Sequence, residues 1–317
     1  MLARLPIGFY GAVMGLVGLG LTARASAPLF PGVIRAPAYF TELWVVLGVI
    51  AFLILFPLYL LKVFLHPAAV REEFTNPVQV GFCGALPVGM GLLAGGLLPY
   101  SPAMADLVWW AAFALMVAFQ GWGLYRLLCG GMALEQLNGG WLILLVGGIV
   151  IPGAGAALGH TEAARFVFGV SMAMVPVLVA LLFYRAAFAP PLPEALRPSW
   201  FILLVPPSLV YANGIALYDF RFLENLFFLG LVLGAALLFY ARGFLRWPFA
   251  PTWWAFTFPL DALAFAAARY AQDHPEPVWT GVAGVCLGIA TVFVTIVLVK
   301  QLIAFFATPR SAASRPA

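Results

Sequence analysis

Asp261 stands in the apolar run WWAFTFPLDALAFAAA that begins at Trp253. A carboxylate at membrane depth is costly and commonly functional. It can hold a proton, pair with an arginine from another helix, or turn to a subunit interface, and a proton held there can couple to the movement of another solute. Arg269 lies two helical turns further along, too far for a direct pair on the same helix. Pro87, Pro152, Pro206, Pro207 and Pro259 also sit inside apolar runs. A proline frees a carbonyl and kinks its helix, which is tolerable in a membrane only where protein or water satisfies the backbone. These prolines therefore either shape the waist of a path or serve packing alone. Asn213, Ser208, Gln120 and Asn138 can hydrogen-bond a hydrated solute or, as is commoner, a neighbouring helix.

No constellation for catalysis accompanies them. Cys83, Cys129 and Cys286 are far apart with no CxxC spacing, which argues against a disulfide framework or a zinc site. His66, His160 and His274 are scattered, without HExxH. An embedded enzyme needs clustered nucleophiles, metal ligands or paired carboxylates, and Asp261 stands nearly alone. The reading is a non-enzyme with no catalytic residue, no cofactor and no metal.

The elements that position these residues are membrane helices. Of the 317 residues, 64% are hydrophobic and 9% charged, and mean hydropathy is +1.03. A soluble domain carries roughly 25% charge. The apolar runs are continuous and near the length of a spanning helix, without the alternation of barrel strands. Ten spans are predicted: 6–24, 40–65, 77–98, 102–128, 139–159, 163–187, 198–217, 222–242, 250–271 and 277–306. Arg4, the run after it and Ala25-Ser26-Ala27 have the outline of a signal peptide. The run is long for a signal core and Pro28 follows the cut, so the segment is kept as the first helix. No connection is long enough to divide domains. Residues 1–307 form a single ten-helix transmembrane domain, and residues 308–317 a disordered cytoplasmic tail. Eleven of the 16 Lys and Arg fall at one set of helix ends, which places both termini in the cytoplasm of an inner (plasma) membrane, multi-pass protein. Lys62, Arg71, Arg126, Arg185, Arg197, Arg242 and Arg246 either line a basic vestibule or, more simply, set topology. Trp109, Trp110, Trp253, Trp254 and Tyr100 are expected as interfacial anchors.

Odd and even helices differ in chemistry. The third, fifth, seventh and ninth each carry an internal proline followed by small residues, and the first carries Gly8, Gly11, Gly15, Gly18 and Gly20. The even helices are bulkier, as in LWVVLGVIAFLILF. Small residues let membrane helices approach closely. The alternation suggests five hairpins, each with a kinked inner helix and a lipid-facing outer one. Pro57 and Pro176 interrupt even helices and break the pattern.

NGGWLILLVGGIVIPGAGAALG from Asn138, APPLPEALRPSWFILLVPPSLV from Ala189 and WWAFTFPLDALA from Trp253 carry a resemblance, with MGLVGLGL from Met14 and Asn76-Pro77. Together they resemble the tellurite-resistance/dicarboxylate transporter family, which contains bacterial TehA-like proteins, fungal malate and sulfite transporters and relatives among the plant slow-type anion channels. The resemblance implies an all-α fold of ten helices in five hairpins around a pseudo-fivefold pore, a homotrimer, and small inorganic or organic anions as the transported species. It also implies a pore gate at Phe258, with Phe256 as fallback, and a small or hydroxylated residue where Asp261 stands. The function expected is an anion channel or transporter; the alternative is a proton-coupled carrier of monocarboxylate or dicarboxylate anions. Neither reading involves nucleic acid.

Overall fold

The computed structural model describes residues 2–32 and 39–307. Every regular element among them is helical. Among the described residues nine helices are long and apolar enough to cross a membrane. They are α1 Ile7–Ser26, α2 Tyr39–Leu65, α3 Val80–Leu97, α4 Pro102–Leu128, α5 Gly140–Ala157, α6 Thr161–Phe188, α7 Glu194–Tyr218, α8 Arg221–Tyr240 and α10 Pro277–Phe306. A further long helix, α9 Trp254–Asp273, precedes α10. It is about 30 Å long at 1.5 Å per residue, but Thr257, Asp261, Arg269, Gln272 and Asp273 make it the least apolar of the set. A short helix, Pro67–Thr75, joins α2 to α3. The segment weighed as a signal peptide is α1, packed into the interior. The tail 308–317 and Arg35 lie outside the described residues.

Burial separates the helices into two sets. In α1, α3, α5 and α7, 72–89% of positions in the spanning window are buried, against 22–33% in α2, α4, α6, α8 and α10. Helix α9 is buried along nearly its whole length. Proline and glycine content thus follows burial, as close packing between membrane helices requires. The bulky helices turn Leu53, Ile54, Phe64, Phe183, Val232 and Phe305 outward.

The buried helices contact one another in chain order. Helix α1 packs on α3, α3 on α5, α5 on α7, α7 on α9, and α9 closes back on α1. Each outer helix packs on the inner helix that precedes it. Helices α1 and α9 approach where α1 has glycine: a Cβ at Gly11 would lie 3.1 Å from Trp254 Cβ, and one at Gly15 would collide with Thr257.

All five buried helices contain or follow a 3₁₀ stretch: Ile7–Tyr10 in α1, Val80–Gly84 in α3, Gly147–Ile149 in α5, Glu194–Leu204 in α7 and Pro251–Trp253 before α9. The 3₁₀ form is normally short. Proline explains where several of these stretches hand over to α-helix. Pro152 and Pro206 fall in the first turn of the α segment, where the missing N–H costs nothing. Pro87 and Pro207 follow within the same first turn. Of these five prolines of the buried helices, only Pro259 lies well inside a continuous α segment, as Pro57 and Pro176 do in the outer helices.

Candidate functional site

Two cavities lie between the five buried helices, and each is lined by all five. The first takes residues from the early part of every helix, such as Gly11, Ala85, Ile143, Val205 and Ala255. The second takes residues further along the same helices: Thr22, Leu92, Gly153, Asn213 and Asp261. The five helices are therefore parallel, and the cavities are stacked along them. Phe258 and Val150 line both. The site is the boundary these two side chains form.

Phe258 reaches the boundary from α9, one residue before Pro259. It is 4% exposed. Phe256 points elsewhere: it is fully buried against Phe201, Phe244 and Phe293 and lines neither cavity. An α-helix turns about 100° per residue, so two residues of separation put the rings on opposite sides of α9.

Val150 reaches the boundary because α5 is broken there. The chain leaves α-helix at Gly147 and resumes at Pro152. Carbonyls near such a break need partners in a membrane, and side chains supply them. Gln120 Nε2 donates to the Leu145 carbonyl at 3.1 Å, Asn213 Nδ2 to that of Ile149 at 2.7 Å, and Trp109 Nε1 to that of Ile151 at 2.9 Å. Helices α4 and α7 thus hold the break on both sides of Val150. Gln120 also donates to Ser171 Oγ on α6 at 2.6 Å.

Asp261 lies one turn beyond Phe258 and lines the second cavity. It is 1% exposed, and neither carboxylate oxygen has a hydrogen-bond partner. Its main-chain carbonyl accepts from Thr22 Oγ1 of α1 at 3.0 Å. The arginine pair considered from sequence is not formed among the described residues. Asp261 lines a cavity within the one chain and is buried from the outer face.

The comparisons with known proteins bear on this geometry. Residues 4–302 match the SLAC1 family model, described as voltage-dependent anion channel. The chain belongs to the SLAC1 family. It is 27% identical to the S-type anion channel SLAH3 of Arabidopsis thaliana over 96% of this chain and 49% of the relative. It is 27% identical to the guard cell S-type anion channel SLAC1 of the same plant, over 96% and 56%. An uncharacterized transporter of Methanocaldococcus jannaschii is 25% identical, over 80% of each chain. The chain spans about half the length of the plant channels it matches. These SLAC1 relatives are named as channels and transporters, not enzymes.

Other sequence-predicted residues fall as follows in this SLAC1-family chain. Pro206 and Pro259 line the first cavity, whereas Pro87, Pro152 and Pro207 are buried without lining either. Ser208 is buried with no partner for its hydroxyl, and Asn138 Nδ2 donates to the Val78 carbonyl at 3.0 Å. Neither cavity is lined by Lys or Arg. Lys62 is instead buried against Glu73 at 2.8 Å, and Tyr59 donates to the same carboxylate at 2.7 Å. Arg185 is buried over the Trp200 ring. Arg126 donates to the Thr75 carbonyl at 2.7 Å, and Arg197 pairs with Glu194 at 3.1 Å. The interfacial expectation is corrected for three tryptophans. Trp109, Trp253 and Trp254 are buried, held by packing and by main-chain or Gln301 acceptors, whereas Trp110 and Tyr100 are exposed. Tyr100 lies in the α3–α4 connection and donates to Glu42, which pushes its phenol pKa up.

Val150 escaped the sequence reading. It is one aliphatic residue in GGIVIP. The signal that could have found it is its place between a glycine pair and Pro152, where a broken helix can present one side chain into a cavity.

Proposed function

We propose that this chain passes small anions across a membrane through a path between its five inner helices, and that Phe258 closes the path. The observation that carries this reading is the pair of stacked cavities sharing Phe258 and Val150. The names of the plant relatives, S-type anion channels, supply the class of solute.

The ten helices act as five hairpins with pseudo-fivefold order, inner helices around the path and outer helices toward lipid. Parallel inner helices put five positive dipole ends at the first cavity, which favours an anion arriving there. By the distribution of basic residues that end is cytoplasmic, as are both termini. The walls are mostly apolar and carry no Lys or Arg, so an anion binds weakly and leaves quickly, as conduction requires. Swinging of the Phe258 ring opens the narrow point, and an apolar constriction also gates by excluding water. A homotrimer is the assembly the tellurite-resistance/dicarboxylate resemblance implies.

A second reading, a proton-coupled carrier of monocarboxylate or dicarboxylate anions, is favoured by Asp261 alone. A carrier is expected to hold its anion at a charge-complementary midplane site, and neither cavity offers a cation. Reversal potentials for Phe258→Ala in a planar bilayer with unequal chloride separate the readings. A potential near that of chloride supports a conductive anion path; saturating, electroneutral flux without current supports the carrier.

A further inference from the structure

We infer that Asp261 is a proton-binding site within the path, and that anions pass only when its carboxyl group is neutral. This rests on the permeation reading above. The argument begins from the surroundings of the side chain. Asp261 lines the second cavity, and its two carboxylate oxygens are buried and have no donor. The nearby polar groups do not reach it: Thr22 donates its only hydroxyl proton to the Asp261 main-chain carbonyl, and the Asn213 amide donates to the Ile149 carbonyl and makes no bond to the carboxylate. An ionised carboxylate without a donor or a cation is strongly disfavoured in such a place, whereas the neutral acid is not.

No neighbouring element supplies the missing charge. Helices α1, α7, α8 and α10 pack on α9. On α1, Arg24 lies beyond Thr22 but is held by Glu42 at 2.6 Å. On α7, Tyr211 packs into the Phe227 and Tyr270 rings. On α8, Glu224 is held by Arg221 at 2.9 Å. On α10, Cys286 is half-buried beside those same rings, and Lys300 adjoins Gln301, which contacts Trp254 far along α9 from Asp261. On α9 itself, Arg269 is two turns away.

The position makes the proton consequential. A Cβ at Gly18 would lie 3.0 Å from both Asp261 Oδ2 and the Phe258 ring, so carboxyl and ring sit side by side. An anion passing the ring must pass the carboxyl group. As carboxylate it repels that anion across a poorly screened space; as acid it offers an O–H donor instead.

The test is chloride flux into proteoliposomes at stepped pH, with Phe258→Ala as parent so that the ring is not limiting. Flux through the parent is expected to rise about tenfold per pH unit on the alkaline side of one titration, then level off. Adding Asp261→Asn is expected to give flux at alkaline pH that the parent reaches only in acid, with no slope; Asp261→Ser is a second uncharged variant. Parent flux independent of pH, or an unchanged slope in both uncharged variants, overturns this inference and leaves the permeation reading standing. No flux from any variant at any pH overturns both. Infrared difference spectra of the wild type give a readout independent of flux. A protonated-carboxyl band lost in Asp261→Asn supports the site, and no such loss overturns it.

Discussion

Phe258 rests on Gly18 of α1: a Cβ placed on that glycine would come within 3.0 Å of ring Cδ2. That is tighter than ordinary contact, so the ring must give way if the position acquires a methyl group. Overpacking costs about 1–3 kcal/mol, and here the cost falls on the closed position of the ring and on the Asp261 carboxyl group, which lies equally close. Gly18→Ala is expected to raise resting anion flux several-fold, by less than Phe258→Ala does. Proteoliposome flux compared across the two variants checks this, with thermal unfolding in detergent confirming that Gly18→Ala is folded.

Asn213 sets the other wall through main chain. Its donation to the Ile149 carbonyl holds the 3₁₀ turn that presents Val150. Asn213→Leu leaves that carbonyl unpaired, at about 1–3 kcal/mol. A lowered unfolding temperature is expected, together with altered resting flux because Val150 moves. Unaltered stability would mean that another donor replaces the amide.

The buried pair Lys62–Glu73 ties α2 to the short helix before α3, and it reaches the start of α1 because Glu73 Oε1 accepts from the Ile7 N–H at 3.3 Å while Lys62 Nζ donates to the Leu5 carbonyl just before it at 2.8 Å. Removing one partner strands the other, a loss of about 3–5 kcal/mol. Lys62→Met alone is expected to lower the unfolding temperature sharply. Lys62→Met with Glu73→Leu and Tyr59→Phe is expected to recover part of the loss, because no buried charge or hydroxyl is then left unpaired, although the Ile7 N–H and the Leu5 carbonyl lose their partners. Thermal unfolding of the two variants in the same detergent decides this.

The helix boundaries and the contrast between glycine- and proline-bearing helices and bulky ones were legible in the sequence, because they are statements about runs and residue size. The burial of α1, α3, α5, α7 and α9 follows that contrast closely. The 3₁₀ stretches were not legible. In a run where every residue is apolar, a change of period from 3.6 to 3.0 leaves no amphipathic mark. Lys62 read as a vestibule or topology cation because its partner Glu73 lies beyond a helix break. Trp109 read as an interfacial anchor because its acceptor, the Ile151 carbonyl, exists only where α5 is broken. Phe258 could not be told from 27 other phenylalanines by composition; the motif around Pro259 singled it out. Its partner Val150 has no such motif.

The most direct measurement is chloride conductance of a series at one position, Phe258→Leu, Phe258→Val and Phe258→Ala, beside wild type and Phe256→Ala. Conductance is predicted to rise stepwise as the side chain at 258 shrinks, and Phe256→Ala to stay at the wild-type level. Equal conductance across the Phe258 series, or a gain confined to Phe256→Ala, would contradict the placement of the gate between the two cavities.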